Sequence, residues 1–115
     1  MDMQKIEKLI KKFSQERDWD KFHNPKNLAM ALSVESSELL EIFQWLNEEE
    51  ALKLKDKKLE HLKEEVADVA VYLLRICMSY DINLEEAIVS KMKKNELKYP
   101  LNDKEGKSID YSKKF

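Results

Sequence analysis

Glycine and proline are almost missing from this chain. Gly106 is the only glycine in 115 residues, and Pro25 and Pro100 are the only prolines. A β-rich chain needs many more turn residues, so the shortage argues for an all-α fold. It also excludes a glycine-rich phosphate loop. Cys77 stands alone. That rules out a disulfide framework and any CxxC metal site, and fits a buried thiol in a reducing, cytoplasmic setting. There is no run of about 18 apolar residues, so no membrane span is expected, and Met1-Asp2-Met3-Gln4-Lys5 lacks the apolar core of a signal peptide. A net charge of −2 supplies no general basic surface for nucleic acid. Carboxylate-bridged di-iron bundles use Glu-x-x-His pairs. No glutamate here has a histidine three residues later, and the nearest approach, His61-Leu-Lys-Glu64, runs in reverse.

What is present fits amphipathic helices in one domain: 38% charged residues beside 43% hydrophobic ones. Ile6, Leu9, Ile10 and Phe13 recur at helical spacing and predict a first helix over residues 3–16. Residues 18–25 break the period. Asn24 is a plausible cap with Pro25 at the first helical position, opening a second helix to about Leu46. Residues 47–58 are a charged connection with room for a short helix. A third helix is expected over roughly 59–80. Asn83 caps a fourth through about Lys98, with Glu86 as a capping-box partner. The domain is expected over residues 1–100, and residues 101–115 read as a polar, mobile tail. A helical chain this small has a modest core, so burying all its apolar stripes calls for oligomerisation.

Two acidic doublets organise the chain: Glu35-Ser-Ser-Glu38 and Glu65-Val-Ala-Asp68, separated by residues 39–64. Spacing of i,i+3 points both acids of each doublet the same way on a helix. Leu28, Leu32, Leu39, Ile42 and Leu46 form one apolar stripe at about 100° per residue, with Glu35 inside it and Glu38 at its edge. Leu62, Val66, Val69, Leu73, Ile76 and Tyr80 make a second stripe, flanked by Glu65, Asp68 and Tyr72. Four acids beside apolar faces cannot all stay ionised without a partner, since desolvation costs several kcal/mol per ion. A hard divalent cation resolves this, and Mg²⁺ or Mn²⁺ suits carboxylates best. Glu41, Glu48, Glu49, Glu50, Glu60 and Glu64 read as surface charge. The rival reading makes the doublets an acidic face of a non-catalytic helical interaction or regulatory module.

Other residues fit a nucleotide. Trp19, Phe22 and His23 cluster in the loop before the second helix, where a planar base could stack. Trp45 closes that helix, and Tyr72 stands one turn beyond Asp68. His61 lies on the flank of the doublets, but its one-turn offset from Glu65 argues against a ligand role. Lys91, Lys94, Asn95 and Lys98 share one side of the fourth helix. Beside a metal, such a ridge would hold phosphate oxygens.

With those residues in view, the sequence resembles the MazG-type all-α nucleotide pyrophosphohydrolases, whose pattern is ExxE, a gap, then ExxD. It is most similar to their small dCTP pyrophosphatase branch, through Glu16-Arg-Asp-Trp-Asp-Lys-Phe-His-Asn-Pro-Lys-Asn-Leu28, Phe43-Gln-Trp45, Tyr72, Lys91-x-x-x-Asn95 and Tyr99-Pro100. The resemblance spans roughly residues 13–100. It implies a helical bundle of four to five helices, assembled as a homodimer or homotetramer. Glu35, Glu38, Glu65 and Asp68 would hold Mg²⁺, with Glu35 or Glu38 activating water. Trp19, His23, Trp45, Tyr72 and Asn95 would shape the pocket for base and sugar, and Lys91 and Lys98 would hold phosphates. The implied reaction splits a nucleoside triphosphate, dCTP or a related or modified pyrimidine nucleotide, into monophosphate and pyrophosphate as a house-cleaning activity. dUTP or a phosphoribosyl-nucleotide is the alternative substrate.

Overall fold

Asparagine and aspartate punctuate the chain in place of glycine. The structure, a computed structural model, describes residues 1–114, so Phe115 of the expected tail lies outside the described residues. Five α-helices are present: α1 (Met3–Glu16), α2 (Pro25–Phe43), α3 (Glu48–Leu52), α4 (Asp56–Ser79) and α5 (Leu84–Lys98), with a 3₁₀ turn at Asp20–Phe22. No strand occurs among the described residues, and among them no helix is long and apolar enough to cross a membrane. The all-α expectation holds.

Four helices start on a side-chain oxygen that accepts from the third residue inside: Asp2 from Lys5 N, Asn24 from Asn27 N, Asn47 from Glu50 N and Asn83 from Glu86 N. Each bond satisfies one of the amide groups that a helix start leaves unpaired. The complete capping box forms at Asn47, whose own amide donates to Glu50 Oε1 at 3.2 Å. At Asn83 only the asparagine half is made, contrary to the expectation for Glu86. α2 stops at Phe43 instead of reaching Leu46, and Gln44 and Trp45 form a turn closed by Leu46 N donating to Phe43 O at 2.9 Å. Asn47 has extended backbone as the cap of α3, and helical geometry cannot continue through it. Asp18, Asp56 and Asp81 take the left-handed backbone, with φ of 54°, 52° and 55°. Aspartate tolerates this region better than most residues.

The chain divides into two compact units, Met1–Ile82 and the remainder from Asn83. In the first, α1 and α2 pack on α4. Its core is small: Ile10, Leu28, Leu74 and Cys77 are buried, together with the polar residues Ser14 and Glu65. Arg75 of α4 ties α1 down by donating from Nη2 to Ile10 O at 3.1 Å and to Ser14 Oγ. The first apolar stripe is at least half-buried throughout, from Leu28 to Leu46. The second stripe holds in part: Leu62, Val69 and Ile76 are half-buried, Val66, Leu73 and Tyr80 are exposed, and α4 also turns Glu65, Leu74 and Cys77 inward. In the second unit, Gly106 sits at φ +83° in a turn where Asp103 Oδ1 accepts from the amides of Glu105 and Lys107. Tyr111 packs edge-on against Tyr99 and donates to Pro100 O at 2.8 Å.

Candidate functional site

α2 and α4 run antiparallel, since Leu28 shares an open cavity with Arg75 and Met78 while Glu35 meets Glu65 further along. Helical spacing from Leu28 and Leu32 carries Glu35 onto the packed face of α2, and Glu38 follows one turn later. From α4, Glu65 enters the same seam and is only 8% exposed. One carboxylate oxygen from each of Glu35, Glu38 and Glu65 lies within 4.8 Å of the others. Asp68, the fourth acid of the doublets, is exposed and stands outside this trio. Its charge still acts on Glu35.

This convergence is electrostatically expensive. Burial pushes the Glu35 carboxyl up to about 7, helped by a hydrogen bond with Glu38 and by the charges of Glu38, Asp68 and Glu65. Glu35 Oε2 and Glu65 Oε2 are inaccessible to solvent and have no hydrogen-bond partner among the described residues. Unsatisfied buried acceptors are rare in folded proteins, and all donors here are hard oxygens. Both features fit a hard divalent cation. Glu65 Oε1 is already engaged, 3.2 Å from His61 Nε2.

The aromatic residues expected at a ligand site fall in two places. Trp19, in the loop after α1, makes edge contacts with Phe13 and His23 at ring-centroid distances of 5.5 and 6.4 Å. His23 is half-buried, and its Nδ1 is inaccessible and without a hydrogen-bond partner among the described residues. Burial lowers its proton affinity, and the neighbouring Arg75 charge lowers it further. His23 lines an open cavity with Lys11, Asp20, Leu28 and Arg75. Tyr72 is half-buried on α4, one turn beyond Asp68. Trp45 lies in the turn after α2 and is 86% exposed.

Lys91, Asn95 and Lys98 belong to α5, in the second unit. Lys91 and Lys98 are exposed, and the Lys98 ammonium lies 5.5 Å from the centre of the Tyr99 ring. Asn95 is half-buried, with Nδ2 3.9 Å from Met92 Sδ.

Sequence reasoning missed Arg75, and it set His61 aside. The signal for Arg75 is a lone cation inside the apolar run Leu73-Leu74-Arg75-Ile76-Cys77. Such a residue must find buried acceptors, and it finds them 61 and 65 positions away. For His61 the signal is its i,i+4 offset from Glu65. That offset puts the two side chains on one helix face and suits a side-chain hydrogen bond.

Residues 30–113 match the MazG-like family. Over 112 residues the chain is 36% identical to dCTP pyrophosphatase 1 of Rattus norvegicus and 35% identical to that of Homo sapiens. The match covers 96% of this chain and 66% of each relative, so the chain spans just under two thirds of the length of these curated relatives. The crystal structure of a pyrophosphatase from Archaeoglobus fulgidus superposes with a TM-score of 0.81 at 42% identity, covering 87% of this chain and 94% of that one. With Glu35 and Glu38 of α2 facing Glu65 of α4, the conclusion follows that this chain belongs to the MazG-like family.

Proposed function

We propose that this protein is a Mg²⁺-dependent nucleoside triphosphate pyrophosphohydrolase, acting on dCTP or a related or modified pyrimidine nucleotide and releasing the monophosphate and pyrophosphate. The observation that carries the reading is the trio Glu35, Glu38 and Glu65, with buried and unpartnered oxygens on Glu35 and Glu65. The relatives named dCTP pyrophosphatase 1 support the substrate class.

Glu35, Glu38 and Glu65 would hold the cation, with Asp68 completing the set from the exposed side. The chemistry such an ion supplies is charge neutralisation on the triphosphate and acidification of water. Glu35 or Glu38 would take the proton of the attacking water. Trp19, His23, Trp45 and Tyr72 of the first unit would shape the base and sugar pocket. A homodimer or homotetramer is the working form, and apolar side chains exposed on α2 and α4, such as Met30, Val34, Leu40, Val66 and Leu73, support it.

The test is a panel of normal and modified triphosphates with Mg²⁺, scored for the phosphorus product. Pyrophosphate from pyrimidine deoxynucleotides is expected. Orthophosphate as the sole product would exclude cleavage between the α and β phosphates and overturn the reading. Glu38→Gln should lower turnover by orders of magnitude with its helical circular dichroism intact.

A further inference from the structure

We propose that His61 is a positioning residue for the cation site, one that fixes the Glu65 carboxylate and leaves Glu65 Oε2 free to serve as a ligand; the inference rests on the divalent-cation reading above. His61 and Glu65 stand one turn apart on α4, with Nε2 and Oε1 at 3.2 Å. A carboxylate acting as a cation ligand offers only acceptors, which in this reading places the hydrogen on Nε2 and makes His61 the donor. The two side chains differ sharply in environment. That of Glu65 is 10% exposed and that of His61 is 56% exposed. The imidazole therefore approaches the buried acid from the solvent edge of α4.

The consequence lies in the second oxygen. Glu65 Oε2 has no solvent-accessible surface and no hydrogen-bond partner among the described residues. With Oε1 held by His61, Oε2 is the oxygen left without a partner to serve as a ligand. Groups that orient a metal ligand from outside commonly contribute about 10–100-fold to ion affinity. His61 is largely solvent-exposed, so the lower end of that range applies. Two other features of α4 narrow the assignment. Glu64, beside Glu65, is exposed, and Lys63 is paired with Glu60 at 3.0 Å. His61 is the neighbour on this helix that is bonded to the buried acid.

The test measures Mn²⁺ binding to the full chain without nucleotide, through the electron paramagnetic resonance signal of free Mn²⁺. His61→Ala should weaken binding about tenfold. His61→Gln keeps an N–H donor at the same turn and should restore most of the affinity. Unchanged binding in His61→Ala overturns the proposal. Equal losses in both variants overturn it too, because the donated hydrogen would then be irrelevant. A wild-type chain that binds no Mn²⁺ removes the cation reading itself, and this proposal with it, so the two failures are told apart.

Discussion

Glu35 is the residue whose chemistry can be read most directly in solution. Its carboxyl is raised from an ordinary 4.5 to about 7, chiefly by burial. The folded protein therefore holds a proton on Glu35 that the unfolded chain has released. The stabilising contribution is complete below about pH 4.5 and is lost as pH rises through about 7. At about 1.4 kcal/mol per pH unit, and with Glu35 only half-buried, the effect is roughly 1–3 kcal/mol. Glu35→Gln should match the wild type near pH 5 in EDTA and melt at a higher temperature near pH 8. Mg²⁺ should reverse that order at pH 8, because only the ionised side chain can bind it. Identical melting curves across this range would contradict the assigned environment. Arg75 makes a second residue-scale prediction. Arg75→Ala strands Ser14 Oγ and weakens the hold of α4 on α1, so it should cost about 1–3 kcal/mol in urea unfolding. How legible the site was in the sequence differs between these residues. Glu35 was read inside an apolar stripe, Glu38 at its edge and Glu65 on the flank of the second, all from i,i+3 spacing, which is local information. Asp68 shares that spacing, yet its exposure depends on how α4 is rotated against α2, which no window of sequence encodes. The Arg75–Ser14 bond spans 61 positions and could not be foreseen from either end.

Elements were read well where their ends carry polar caps and less well where two signals compete. The α1 boundaries follow from the apolar spacing of Ile6, Leu9, Ile10 and Phe13, and the start of α2 from Asn24 and Pro25. The end of α2 was misplaced because Leu46 continues the apolar period while Asn47 and Glu50 close a capping box just beyond it. The box prevails, and Gln44 and Trp45 are left in a turn. Asn47→Ala should therefore do more than lose about 1 kcal/mol of cap energy. With the stop signal removed, α2 can extend. Hydrogen exchange should show new protection at the amide of Trp45, whereas that of Leu46 already donates to Phe43 O at 2.9 Å, and Trp45 fluorescence should shift. Unchanged exchange in this segment would mean that packing of α2, rather than the cap, sets its end. The rotation of α4 has a different cause. Its apolar residues occupy more than one face, so the period allows several inward sides. The choice falls on Leu74 and Cys77 because Arg75 must meet α1 and Glu65 must meet α2.

At the scale of the molecule, core and surface are out of balance. Among the described residues four hydrophobic ones are buried, whereas Met30, Val34 and Leu40 on α2 and Val66 and Leu73 on α4 are exposed. A 115-residue chain gains little net stability from so small a core, since folding entropy opposes burial at about 1–2 kcal/mol per residue. Association of copies would cover these side chains at about 25 cal/mol per Å² of apolar surface. Light scattering after size exclusion should give two or four times the chain mass. Val34→Glu or Leu40→Glu should shift the protein towards monomer and lower its melting temperature. The melting temperature of the wild type should also rise with protein concentration, because subunits that bind only the folded state stabilise it by mass action. A monodisperse monomer at micromolar concentration, with a concentration-independent melting temperature, would show that a chain with this core stands alone. The exposed residues of α2 and α4 would then need an explanation other than self-assembly.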